Sequence, residues 1–492
     1  ADRSLFTALK PADMASTLTA AAHVAPTMPH LLRSAGQDEG SSPIKRPMRH
    51  FSAAFATSSL DEGFSQKVFP VKVVSFLYFQ KPLVLEHTKA VLKDRLCSIA
   101  RFRSRVIETS VKGSVGCAFQ ELTEIELDHA MQELVQQHDL IKTQVDVDSF
   151  ISELICQNMD SNLPLWRGWV FNDMADGRSA LMLIMDHSIG DGVALIQVLM
   201  SVLDPSQGGV PSVPSRRLKA APPGCFTHLK GLLQACWGPL VGDQMPADPP
   251  NRLKVKDHKA VSCVKTFATS EALTMDQIRE VRDNLGEATV NDVLMTVTAL
   301  TLQEYFRKYE PQTLKQKVRG NFPINLRSVT GEDIMADEHF GNRFSQGQLR
   351  FPIHKEDPLK VFEDVKAQID LIKVSPEPLV RDKILKFAIL QSGLSKATIA
   401  DLLLDAFGKV TAMLSNVPGP LETVHFLGQP LDDLTFYAVA PLGLYFGIVQ
   451  YKGNFKVGIC CDAACEPEPM KLAECWGPAF ERLRQAAVAR QR

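Results

Sequence analysis

The chain has 492 residues, 45% of them apolar and 22% charged, with a net charge of −2. That length exceeds one ordinary core and predicts roughly two to three domains of a soluble globular protein. The near-zero charge and the aromatic content of 7% argue against nucleic acid as a partner, and no stretch reaches the ~18 consecutive apolar residues of a spanning helix.

Residues 1–46 are rich in Ala, Ser and Thr and poor in acids, so we expect an N-terminal extension of targeting or pro-segment character, running through the linker-like stretch 36–47 into the folded part. A Val- and Phe-rich strand is predicted over 67–79, a helix over 84–102 and a strand over 116–122. A helix over 147–159 starts at Asp148, and two strands, 164–173 and 179–187, flank the turn "MADGR". A helix over 191–203 follows directly.

The Pro-, Gly- and Ser-dense segment 204–224 marks a connector, which we extend over 206–258. Within it, "CFTHLKGLLQACWGPLVG" (225–242) places Phe226, Leu229, Leu232, Leu233 and Cys236 at helical spacing. Two readings of this helix stand: one that packs across the two halves, and one that lies in a bilayer interface with Trp237 at headgroup depth. The pattern then resumes with a strand over 260–270, helices over 274–286 and 289–309, strands over 317–326 and 343–353, and two helices between 357 and 410. Strands over 412–420, 434–441 and 444–462 and a helix over 467–490 complete the chain. The expectation is an α/β (α+β) protein of two halves, 47–205 and 259–492, each a mixed sheet with helices. No Gly-rich phosphate loop follows a strand, so a doubly wound nucleotide fold is not expected.

Ten cysteines are scattered without a framework, and "CCDAAC" (460–465) has no second Cys or His pair at ligand spacing. Reduced thiols in an intracellular protein, without a metal centre or other cofactor, are expected.

The chemistry concentrates in "LMLIMDHSIGDGVAL" (181–195). A histidine at the end of a buried strand, His187, is partly shielded and oriented, and its ordinary pKa near 6.5 suits it to take a proton from an alcohol or thiol. Asp191 can accept from a backbone amide or pair with an arginine and so fix the loop. Gly192 lacks a Cβ and permits close approach of a substrate or a second backbone. The helix that follows brings free N–H groups beside the site. These parts suit general-base acyl transfer, whereas the spacing by itself also fits a satisfied core histidine.

"DHSIGDG" resembles the HHxxxDG signature of coenzyme-A-dependent acyltransferases, a superfamily that includes condensation domains. The resemblance sharpens to the wax ester synthase/diacylglycerol acyltransferase group, because "PLWRGWV" (164–170), "EATVNDVLM" (287–295), "PINLR" (323–327), "FGNRFS" (340–345) and "LSNVPGP" (414–420) follow in that group's order. It implies that His187 is the general base that deprotonates a fatty alcohol or diacylglycerol for attack on an acyl-CoA thioester, giving wax ester or triacylglycerol, with acyl-CoA as co-substrate and no metal. It implies that Asp191 is mainly structural. Asn291 and Asn416 match family positions near the site, where they would position the thioester or steady the oxyanion; the other reading is that Asn291 caps a helix and Asn416 shapes the turn before Pro418 and Gly419. Asp186, Pro418 and Gly419 are expected to contact substrate.

The sequence departs from the pattern at Asp186, where the family has a first histidine. Adjacent residues of a strand face opposite ways, so Asp186 and His187 should not share a pocket. A buried carboxylate nevertheless needs a partner, and a catalytically degenerate relative kept as a lipid-binding or assembly subunit is the alternative. The motifs divide between the halves, which places a tunnel with His187 between them. The lipid substrates lead to the expectation of an intracellular protein at a peripheral membrane, endoplasmic reticulum or lipid-droplet surface, or in a mitochondrion or plastid if residues 1–46 are a targeting remnant.

Overall fold

A computed structural model describes residues 44–60, 71–111, 114–204, 246–254, 262, 264–328, 331–336, 339–390, 395, 398, 405 and 407–490. The segment 1–43 and the candidate amphipathic helix at 225–242 lie outside the described residues. The last residues of the expected extension form a short edge strand, β1 (Lys45–Pro47), followed by helix α1 (His50–Leu60).

In chain order the first half continues with β2 (Lys72–Phe79) and α2 (Leu85–Val91). The expected long helix over 84–102 is broken, since α2 passes into a π turn at Leu92–Leu96 and then a 3-10 turn at Ala100–Arg103. Strands β3 (Ser104–Val111) and β4 (Ser114–Glu121) form a hairpin that carries β1 on its outer edge. Helix α3 (Glu124–Leu134), strand β5 (Val135–Gln137) and helix α4 (Gln144–Cys156) follow. Helix α4 does not start at Asp148. Thr143 caps it, accepting from the Asp146 amide while the Asp146 carboxylate accepts from the Thr143 amide, a reciprocal arrangement that satisfies two orphan donors. Strands β6 (Trp166–Phe171) and β7 (Ser179–Asp186) and helix α5 (Gly192–Val202) match expectation closely.

The second half holds β8 (Lys265–Thr269), β9 (Leu273–Thr274), α6 (Met275–Asn284) and the 20-residue α7 (Val290–Tyr309). Then come β10 (Val318–Asn325), β11 (Phe344–Phe351), α8 (Pro358–Val374) and α9 (Glu377–Leu390). Strands β12 (Ala412–Val417), β13 (His425–Phe426), β14 (Gln429–Pro430), β15 (Asp433–Val439), β16 (Leu444–Tyr451) and β17 (Asn454–Asp462) precede α10 (Met470–Ala473) and α11 (Trp476–Ala489). The single C-terminal helix expected over 467–490 is thus two.

Two mixed sheets organise these elements, as the α/β reading requires. One has the order β15-β2-β7-β6-β5; the other has the order β11-β10-β12-β16-β17-β8, with β9 beside β17. In the first only β5 runs parallel to its neighbour, and in the second β12 is parallel to both β10 and β16. The division into two sequence halves differs from the division into sheets. Strand β15 belongs to the second half yet pairs antiparallel with β2 of the first along its whole length, from Asp433↔Tyr78 to Val439↔Lys72. Its inward residues, Leu434, Phe436 and Ala438, join a core that also holds Met48, Phe76 and Leu183. Residues 44–492 form one compact unit as a result. The end of the expected connector is likewise part of the second half. Asp248 is buried, accepts from Arg319 Nε at 2.6 Å and from the Arg319 and Thr411 amides at 2.8 and 3.0 Å, and ties the returning chain to β10 and β12.

Candidate active site

Strand β7 is apolar from Ala180 to Met185 because both of its faces are covered, and it delivers His187 just past its last residue. The following turn closes where Asp191 N-caps α5, its Oδ1 accepting from the Ala194 amide at 3.0 Å. Its Oδ2 accepts from Arg327 Nη1 at 2.8 Å and from the Arg343 amide at 2.9 Å. The Arg327 side chain is fully buried there and also donates from Nε to the His339 carbonyl at 3.0 Å and from Nη2 to that of Gly341. Asp191 therefore clamps the His187 turn to "PINLR" and "FGNRFS" of the other half, which is the arginine pairing foreseen from its chemistry. Arg101, sandwiched near the rings of Phe119 and Phe340, donates to the Ile189 carbonyl at 3.0 Å and holds the middle of the same turn.

His187 is packed between Phe55 of α1 and Phe344 of β11, with ring centroids at 4.9 and 6.1 Å. Its Nδ1 lies 3.0 Å from Asn342 Oδ1. The Asn342 amide nitrogen donates to the His187 carbonyl at 2.7 Å and to Ser52 Oγ at 3.0 Å. The carbonyl can only accept, so the Asn342 orientation is fixed, Oδ1 faces the ring, and Nδ1 must carry the proton. Nε2 is left with its lone pair, as a base requires. Burial pushes the imidazole pKa below its ordinary value, against the opposing pull of the Asp191 and Asp186 carboxylates and the Asn342 bond. Asn342 was legible only as part of "FGNRFS"; nothing in its spacing links it to a histidine 155 positions away.

The ring borders a narrow cavity of about 60 Å³ between the two sheets. Val73 and Met185 of the first sheet, Leu195 and Leu199 of α5, and Val417 and Val449 of the second sheet contribute to its walls. Ser75, Ser415 and Tyr445 are the polar groups that line it besides His187. Ligand pockets usually hold ~300–1,000 Å³, so side chains must part for a long alkyl chain. Gly192 lies on this cavity, and a Cβ there would stand 3.0 Å from Val417 Cγ2, so the absence of a side chain lets α5 and β12 approach.

The other expected residues are placed differently. Asn416 lies between Ser415 and Val417, which line the cavity; a strand's period of two turns Asn416 to the other face. There its Nδ2 donates to Asn291 Oδ1 at 3.2 Å, and neither amide borders the cavity beside His187. Asn291 is not the helix cap either: Thr289 caps α7 together with Asp292. Pro418 and Gly419 are absent from the cavity wall, and a Cβ on Gly419 would meet the Gln450 carbonyl oxygen at 2.0 Å, so the glycine serves the contact of two backbones. Asp186, buried on the face away from the cavity, accepts from the Ser188 amide at 2.8 Å. Its cross-strand neighbour is Lys72, whose ammonium donates to the Leu154 and Gln157 carbonyls at 3.0 and 2.6 Å. Opposite residues of an antiparallel pair share one face, so this carboxylate has a cation beside it. Asp186, Pro418 and Gly419 thus do not line this cavity; they serve the turn and the backbone packing around it. Among the described residues no cluster of His, Cys, Asp and Glu could hold a metal ion, and burial pushes the Cys460 and Cys465 thiols up to about 12.

Residues 80–236 match the wax ester synthase/diacylglycerol acyltransferase catalytic domain, and residues 340–484 match the WS/DGAT C-terminal domain. Wax ester synthase/diacylglycerol acyltransferase 5 of Arabidopsis thaliana is 23% identical over 447 residues, covering 80% of this chain and 86% of the relative. Number 11 of the same plant is 26% identical over 384 residues, covering 70% and 78%. The solved wax ester synthase/diacylglycerol acyltransferase from Marinobacter aquaeolei VT8 superposes with a TM-score of 0.58 at 16% identity, over 90% of this chain and all of that one. The first condensation domain of the calcium-dependent antibiotic synthetase reaches the same TM-score at 13% identity, over 91% and 97%. These two likenesses concern the fold; the domain matches, in order and together spanning more than half of the sequence, concern descent. The chain belongs to the wax ester synthase/diacylglycerol acyltransferase family.

Proposed function

We propose that the protein is an acyl-CoA-dependent O-acyltransferase that forms wax ester or triacylglycerol, with His187 as its general base. The observation that carries this reading is an imidazole held in its Nδ1–H form by Asn342, at the edge of an apolar cavity walled by both sheets, in a chain of this family. Nε2 takes the hydroxyl proton of a fatty alcohol or diacylglycerol as the oxygen attacks the thioester carbonyl. When the tetrahedral adduct collapses, the C–S bond breaks and the imidazolium returns its proton to the departing CoA sulfur. Asp191 acts through structure, clamping the turn. The aspartate that replaces the family's first histidine is compatible with activity, because Asp186 faces away from the cavity and has partners there. The lipid substrates favour work at a membrane or lipid-droplet surface inside the cell; among the described residues no helix is long and apolar enough to cross a membrane.

The test is transfer from radiolabelled acyl-CoA to a panel of long-chain alcohols and diacylglycerol by the purified protein. His187→Ala should lose roughly 10²–10⁴-fold in rate with an unchanged melting curve. Equal rates for variant and wild type on every acceptor would remove the general-base assignment.

A further inference from the structure

The cavity at His187 ends against a second, chemically different one. The apolar cavity runs along the inward residues of β15, passing Ala438 and Phe436 to Leu434. Leu434, together with Val449 of β16, also lines a polar cavity of about 410 Å³ whose other walls include Asp432, Asp433, Arg178, Lys452 and Lys456. These are the two side chains common to both cavities. On the apolar side they meet hydrocarbon. On the polar side the lining carries charged groups that are engaged: Lys456 pairs with Asp433, and the Arg178 guanidinium stacks 4.1 Å above the Tyr78 ring while bonding Asp176 at 2.7 Å.

We propose that the Leu434–Val449 pair is the end wall of the alkyl-chain site and sets the longest chain the protein accepts; this rests on the acyltransferase reading above. The register supplies the ruler. Val439 and Asp186 stand at the same level on either side of Lys72, and Leu434 stands level with Leu77, five residues along β15. Five strand steps amount to about 17 Å, the reach of roughly a dozen zigzag carbon–carbon bonds. A chain that pushed past the wall would enter a cavity of paired charges and displace their water without offering hydrogen bonds in return, which is unfavourable. Hydrocarbon wall and polar cavity therefore act in the same sense. The wall limits size, and the charges beyond it penalise further methylenes.

The experiment measures binding and transfer separately on the full chain. Acyl-CoAs without acceptor, and n-alkanols without donor, are titrated calorimetrically in series of increasing length. Affinity should rise about fourfold per methylene and then level off in one of the two series, which identifies the chain that uses this site. Val449→Ala should move the plateau to longer chains by roughly two methylenes, and Val449→Leu should move it to shorter ones by about one. The same shifts should appear in the transfer-rate profiles. A plateau at one length in wild type and in both variants, each with a wild-type melting curve, would overturn the wall, as would affinity that climbs without levelling in both series. A plateau that moves in a protein that transfers nothing would leave the wall standing and sink the acyltransferase reading instead. Leu434→Val, a smaller change on the facing strand, repeats the outward shift should Val449→Ala unfold.

Discussion

At the residue scale the decisive contact is between His187 and Asn342. An imidazole has two equivalent-looking nitrogens, and only the acceptor on one of them determines which remains basic. Asn342→Ala removes that acceptor and lets the ring turn, so kcat should fall about ten- to a hundredfold with little change in KM. The Asn342 bond also favours the protonated ring, as does any hydrogen bond to the charged form. The base must be neutral to work. In wild type, where burial holds the pKa below its ordinary value, the acid limb of kcat/KM should lie below pH ~6.5; in Asn342→Ala it should move lower still. Asn342→Asp keeps an acceptor and adds charge that favours the imidazolium, so its limb should move upward. A pH profile indifferent to all three residues at 342 would show that Asn342 does not govern the base. Asp186 teaches a related lesson. Its neighbour in sequence is the base, but its neighbour in space is Lys72, because the strand turns alternate side chains to opposite faces.

At the scale of single elements, capped starts were the most legible features. The helices beginning after Thr274, Thr289 and Asp191 lie where expected, each with a side chain accepting from an amide of the first turn. Helix α3 falls outside the periodic segments, although Thr123 and Glu126 form a capping pair that marks its start. Strand β5 is three residues long, too short to show a period. Helix α5 differs from the others because its cap also bridges the halves. Asp191→Ala would leave the buried Arg327 without its carboxylate, so the protein should lose about 3–5 kcal/mol in denaturant unfolding, with activity falling alongside. Asp191→Asn keeps an acceptor for the Ala194 amide and should cost less. Unfolding curves of Asp191→Ala that superimpose on wild type would show that the clamp contributes nothing.

At the scale of the whole molecule, β15 decides the architecture. It leaves the second half, closes the edge of the first sheet, and returns as β16 to the middle of the second. Segments 44–245 and 246–492 expressed apart should therefore be insoluble or unfolded, since the first would expose the edge of β2 with Val74, Phe76 and Leu77 around it. Expressed together they should copurify as a one-to-one complex. A folded, monodisperse 44–245 segment on its own would show that β15 is dispensable to the first sheet.

The sequence by itself determined the strand–turn–helix that carries His187, Asp191 and Gly192, because an apolar run, a capping aspartate and a glycine act over a few neighbouring residues. It also determined the mixed α/β class and, through motifs kept in order, the family. Only the tertiary structure decided that Asn342 orients the base, that Asn291 and Asn416 bond each other instead of facing the cavity, that Ser415 and Tyr445 face it in their place, and that β15 crosses between the sheets. Each of these depends on strand register or on contacts across more than a hundred residues, where one step along a strand reverses the face a side chain presents and no local pattern records the choice.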